Sequence, residues 1–163
     1  MSIPNEWAFA FFDLGSKESA RRVRLHRNLK KVGAAIHSQS VYCMPYSING
    51  FKSLKDLDSG VFVVKADVDD SQTAELVDAY DVFIESLSDE ISQKLNDLED
   101  AKAASTDMVS KRSYTKRFNK MNERVDHLEY VMRLRQHPEV SDKVEKFKKR
   151  IAEIDGYDSG KLI

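Results

Sequence analysis

The spacing of apolar positions changes once along this chain, near Asp70: short apolar runs precede it, and stripes recurring every three or four residues follow. Glu6-Trp7-Ala8-Phe9-Ala10-Phe11-Phe12-Asp13, closed by an acid and by Gly15, predicts a buried central strand. From Ser16, a residue type that caps helices, to Val32 there is no Gly or Pro. Leu25, Leu29 and Val32 fall at helical spacing, and Gly33 is the expected stop. Ala35 to Met44, rich in β-formers around Ile36, Val41 and Tyr42 and ended by Pro45, predicts a single second strand. Tyr46 to Ser59 reads as irregular, with one helical turn near Phe51 to Leu57, and the β-branched run Gly60 to Ala66 predicts a third strand.

Beyond Asp70, Leu76, Tyr80, Phe83, Leu87, Ile91, Leu95 and Leu98 make one apolar stripe on a helix over about 72–100, with Ala101 to Asp107 as its turn. Tyr114, Phe118, Met121, Val125, Leu128 and Met132 form the seam of a second helix over about 108–136, ended near Pro138. Val140, Val144, Phe147, Ile151 and Ile154 mark a third over about 138–155, stopped by Gly156, with 157–163 as a tail. The predicted organisation is α+β: an α/β domain over residues 1–70 and a helical extension over 71–156. Strand, helix, strand, strand, helix is most of a ferredoxin-like βαββαβ fold in which the fourth strand is weak or supplied elsewhere. The third strand would lie between the first two, and only Tyr157 to Ile163 could provide a fourth. An open sheet edge needs cover, so a homodimer or the helical extension is expected there.

Composition narrows the classes. The chain has 163 residues, 41% hydrophobic and 33% charged, with nine Gly plus Pro, which suits a helix-rich globular protein. Cys43 is the only cysteine, so no internal disulfide or Cys-rich zinc site exists and a reducing compartment fits. The Trp7 to Phe12 cluster is too short for a membrane span and lacks a preceding basic region, so the expectation is a cytoplasmic protein without membrane association. The net charge of −1 hides segregation. Residues 16–33 carry seven Lys/Arg against one acid, residues 56–107 fifteen acids against three lysines, and residues 108–150 thirteen Lys/Arg against six acids. Mutual neutralisation of two antiparallel helices is the simplest account of the last two blocks.

Asp13 after the first strand, the basic segment Arg21-Arg22-Val23-Arg24-Leu25-His26-Arg27-Asn28-Leu29-Lys30-Lys31-Val32-Gly33 and then Gln39-Ser40-Val41-Tyr42 resemble the small CRISPR-associated ferredoxin-like proteins that partner the CRISPR integrase. The same order of elements resembles the N-terminal domain of chromate-resistance transcriptional regulators and the corresponding domain of phenylacetate-type repressors. Val41-Tyr42-Cys43-Met44-Pro45 and the long helices find a better counterpart in the chromate-resistance group, whose sensing half has none here. The resemblance covers about residues 7–68 well and the helices loosely. In the first group it implies metal-dependent nuclease activity through the acid at Asp13, two copies meeting across a dimer. In the regulators it implies a related shape without catalysis.

Asp13 is therefore the single catalytic and metal-binding candidate: hard Mg²⁺ or Mn²⁺ wants carboxylate oxygens, and phosphoryl chemistry wants such a metal. Capping of the turn that follows is the alternative role for a strand-ending Asp. Asp67, Asp69 and Asp70 read as the N-terminal anchor of the long helix, while Asp56 and Asp58 lie nearer Asp13. Arg21, Arg22, Arg24, Arg27, Lys30 and Lys31 exceed what Glu18 can pair, so phosphate, an acidic partner or solvent must meet them. Lys111, Arg112, Lys116 and Arg117 form a second basic run, interleaved with the core-stripe residues Tyr114 and Phe118. His26, His37, His127 and His137 have no metal-ligand spacing, and no dinucleotide, P-loop or serine-hydrolase motif is present. No cofactor is expected unless the nuclease reading holds. These residues predict a non-catalytic, nucleic-acid-associated or regulatory protein that contacts DNA or RNA phosphates through its first helix. The alternatives are a metal-dependent endonuclease using Asp13 of two subunits and a module that binds a protein partner through its helical hairpin.

Overall fold

A computed structural model describes residues 4–104 and 108–161, with side chains described for 4–103 and 115–154. The elements are β1 (Glu6–Phe11), α1 (Ser19–Val32), β2 (Ala35–Ser38), β3 (Val41–Pro45), α2 (Ile48–Lys55), β4 (Phe62–Asp67), α3 (Asp70–Ala104), α4 (Met108–Arg135) and α5 (Val140–Lys161). The fold is α+β, with a four-stranded antiparallel sheet in the order β2-β3-β1-β4.

The expected second strand is two strands. Gln39-Ser40 turns the chain back, with Ser40 in the left-handed region at φ 63, so that Ser38 faces Val41 and Ile36 faces Tyr42. No glycine marks this turn, and Ser takes a conformation that usually favours Gly, Asn or Asp. The fourth strand thus lies within residues 6–67, and neither a missing strand nor 157–163 is needed to complete the sheet. β3, rather than the strand after Gly60, sits beside β1 in the interior; β4 is an edge. The helical turn expected near Phe51 is the helix α2, capped by Ser47, whose side chain accepts from the Gly50 N–H at 3.0 Å. Gly156 does not stop α5, which continues to Lys161; one glycine costs a helix only about 1 kcal/mol. Ser16 opens a short 3-10 turn, Ser16–Glu18, and α1 begins at Ser19.

Contacts divide the chain into two units, Met1–Ile84 with Tyr130–His137, and Glu85–Glu129 with Pro138–Ile163. In the first unit the register sets both sheet faces, because directly opposed residues point to the same side. Ala8, Ala10, Phe12, Tyr42 and Met44 share the face that α1 and α2 cover: Tyr42 stacks on Phe12 at 6.0 Å and meets His26 of α1. Trp7, Phe9, Phe11, Cys43, Phe62 and Val64 share the other. Trp7 is fully buried there, edge-on to Tyr80 of α3 at 5.9 Å, with its Nε1–H donating to the Pro4 carbonyl at 2.9 Å.

The end of α1 is fixed twice. Gly33, at φ 107, closes the helix: its N–H donates to the Lys30 carbonyl and the Ala34 N–H to the Leu29 carbonyl. The buried Tyr80 hydroxyl donates to the Gly33 carbonyl at 2.6 Å and the Tyr130 hydroxyl to the Val32 carbonyl at 3.0 Å. α4 ends on the same pattern with Gln136 at φ 57, and Arg135 forks onto Asp81 at 2.8 and 3.1 Å. In the second unit Ile91, Leu95 and Leu98 of α3, Met121, Val125 and Leu128 of α4, and Val144, Ile151 and Ile154 of α5 are buried. Arg124 pairs with Glu90 and Arg150 with Glu99, so the acidic and basic helical blocks do meet as ion pairs. Among the described residues, no helix is long and apolar enough to cross a membrane.

Candidate nucleic-acid interface

α1 turns one apolar edge to the sheet, with Leu25 at 3% and Leu29 at 0% exposure. With 3.6 residues per turn, Arg24, Arg27 and Lys31 fall on the opposite side, each separated by three or four positions. All three are exposed. Arg27 and Lys31 make no hydrogen bond or ion pair among the described residues, and Arg24 is close enough to Asp58 to help hold its carboxyl down without pairing to it.

The other candidate cations of α1 have structural duties. Arg21 donates from Nε to Asp58 Oδ2 at 2.9 Å and from Nη2 to Asp58 Oδ1, while its Nη1 reaches Glu18 at 3.0 Å. Asp58 also accepts from the Gly60 N–H at 2.7 Å. Its carboxyl is held at about 2, chiefly by the Arg21 hydrogen bond and then by the Gly60 N–H. Arg22 donates from Nη2 to the Leu14 carbonyl and, at 3.3 Å, to that of Gly15, holding the loop between β1 and α1. Lys30 faces outward and lowers the pKa of His26, second in effect to burial of the ring. His26 Nδ1 and Tyr42 Oη share a hydrogen bond, which ties α1 to β3.

Asp13 is exposed in the loop after β1 and makes no hydrogen bond or ion pair among the described residues, so it caps neither the 3-10 turn nor α1. Of the two carboxylates read as nearer Asp13, Asp58 is committed to Arg21, while Asp56 closes α2 through its backbone N–H to the Lys52 carbonyl. No group of three or more His, Cys, Asp or Glu that could hold a metal occurs among the described residues. Asp69 anchors α3 as expected, accepting from the Gln72 N–H and the Ser71 hydroxyl, both at 2.9 Å. Lys116 and Arg117 are exposed on α4; the side chains of Lys111 and Arg112 lie outside the described residues. Cys43 is buried and its thiol is pushed up to about 12, which makes it inert.

Two features escaped the sequence reading. Lys52 and Lys55 stand exposed in the last turn of α2, at the sheet end where α1 begins. Phe11, in the strand read as buried, and Phe62, in the strand after Gly60, are 36% and 64% exposed and stack on each other at 5.3 Å. An unbroken apolar run looks the same in an edge strand as in a central one, so only the topology distinguishes them. No protein-family model, curated protein or solved structure matches the chain.

Proposed function

We propose that this chain is a non-catalytic, nucleic-acid-associated or regulatory binding protein, built on a ferredoxin-like βαββαβ arrangement, whose first helix contacts backbone phosphates. The exposed stripe of Arg24, Arg27 and Lys31 carries this reading. Its cations span about 10 Å of helix, the length of about three phosphates on one strand. Three such contacts predict an affinity that falls with salt at a logarithmic slope of about −2 to −3.

The test is anisotropy of labelled duplex DNA, single-stranded DNA and RNA at low and moderate salt, with Mg²⁺ present and each probe checked for cleavage. Salt-sensitive binding that collapses in Arg24→Ala/Arg27→Ala/Lys31→Ala is expected. Affinity unchanged in that variant would overturn the reading, and absence of binding to every probe would favour a protein-interaction module instead. The endonuclease alternative rests on the unpartnered carboxylate of Asp13 and requires divalent-metal-dependent cleavage lost in Asp13→Ala.

A further inference from the structure

The sheet face opposite α1 and α2 is covered at one end, where Trp7 meets Tyr80. At the other end Phe62 and Phe11 remain exposed, flanked by the half-buried Phe9, Val41 and Val64. Phe62 stacks one side of its ring on Phe11 and, because β4 is a sheet edge, presents the rest to solvent. Isolated exposed apolar residues are ordinary, but two stacked aromatics on adjacent strands leave most of the Phe62 ring accessible at the sheet edge.

The charges around this surface select its occupant. β1 ends at Phe11 and leads to the start of α1; α2 ends where the chain enters β4 at Phe62. The same sheet end therefore gathers Lys17 from the first connection, Arg21, Arg22 and Arg24 from the first turns of α1, and Lys52 and Lys55 from α2. Four acids accompany these six cations, Glu18 and Asp58, which share Arg21, and Asp13 and Asp56, so the net charge of the group is +2. The balance is positive, and the polar turn Gln39-Ser40 adds hydrogen-bonding groups beside it. An apolar aromatic surface at a sheet end whose other face carries cations matches a ligand with planar faces on an anionic backbone. Duplex DNA hides its base faces in the stack, whereas a single strand offers them.

From this juxtaposition we propose that the Phe11–Phe62 surface is a stacking platform for one or two bases of single-stranded nucleic acid, with the adjoining cations of the α1 and α2 ends taking its phosphates. The inference deepens the phosphate-binding reading above and rests on it. Sequence preference is not expected, since every base has a π face.

The test compares binding of labelled oligothymidylate and oligouridylate with that of a duplex, using the full chain, Phe62→Leu and Phe62→Tyr. Phe62 is mostly exposed, so both variants are expected to fold, and circular dichroism checks this. Leucine keeps the apolar surface without the π face; tyrosine keeps both. Single-strand affinity is expected to fall at least about fivefold in Phe62→Leu, to survive in Phe62→Tyr, and to leave duplex affinity unchanged. A strand carrying 2-aminopurine should lose fluorescence on binding the parent and less on binding Phe62→Leu. Salt-sensitive binding that is indifferent to Phe62→Leu would overturn the platform while leaving the phosphate-binding helix intact. Loss of all binding at low salt would overturn both. Concentration-dependent dimerisation abolished by a charge at Phe62, without any change in single-strand affinity, would assign the surface to a second copy of the chain and likewise overturn the proposal.

Discussion

Arg21 shows how one side chain can look like a ligand-binding cation in a sequence and prove to be a brace in the fold. Its guanidinium joins the start of α1 to the Asp58 loop, thirty-seven positions away, and to Glu18 one turn back. Nothing local in the sequence signals such a contact, whereas the separation of Arg24, Arg27 and Lys31 from it follows from helical spacing alone once the core edge is known. The pair has a pH signature. The folded carboxyl of Asp58 is depressed to about 2, below the roughly 3.9 of an unfolded aspartate. Its stabilising contribution is therefore complete above about pH 4 and is lost as pH falls toward the folded value. Asp58→Asn is expected to melt below the parent at neutral pH, with the two melting temperatures converging as the pH is taken from about 4 to about 2. A difference that stays constant through that range would assign the loss to the Gly60 hydrogen bond or to packing instead of the charge.

At the scale of elements, the helices were the most legible part. In α3, Leu76, Tyr80, Phe83, Ile91, Leu95 and Leu98 are all buried, with only Leu87 of the expected stripe half-exposed. A period of 3.6 sustained from Leu76 to Leu98 within a helix of thirty-five residues is a strong pattern because each added turn tests it again. The sheet was harder. A two-residue turn without glycine hid the boundary of β2 and β3, and an eight-residue helix supplied too few turns in α2 to show a period. The end of α1 offers a check on element-level packing. Gly33 sits at φ 107, and an added Cβ would meet Tyr130 Cε2 at 3.1 Å and Leu134 Cδ1 at 3.3 Å. Gly33→Ala should cost about 1–2 kcal/mol from backbone strain alone, measured by chemical denaturation, and any repositioning of Tyr130 would add to it. In the second unit, Leu95→Ala empties a fully buried position and should cost roughly 2–5 kcal/mol; a loss below 1 kcal/mol would show that the helical seam repacks around the gap.

For the molecule as a whole, the balance of charge decides what kind of attraction is available. The chain carries a net charge of −1 and a pI near 6.4, so it exerts no general pull on a polyanion. Any affinity must come from a local field, which falls off within about 10 Å at moderate ionic strength. Replacing one cation should then act in proportion to its share of the contact. Arg27→Ala is expected to flatten the salt slope by about one unit across all probe sequences. The equivalent change at Lys116, on another helix and outside the stripe, is expected to leave it unaltered. Equal effects at both positions would mean that dispersed charge, rather than the α1 stripe, captures the ligand. The segregated blocks in the sequence pointed to both segments alike, and only the ion pairs between helices separate charge that is internally used from charge that is available.

The environment of Trp7 has a practical consequence. It is the only tryptophan in the chain, it is completely shielded, and its indole N–H and one ring edge are engaged by Pro4 and Tyr80. Its emission is thus an optical reporter for the sheet-bearing unit alone, blue-shifted while that unit is intact, whereas far-ultraviolet dichroism is dominated by the long helices of both units. Following the two signals together through a denaturant titration turns a natural side chain into a label that distinguishes a chain that melts in one step from one whose halves come apart in sequence.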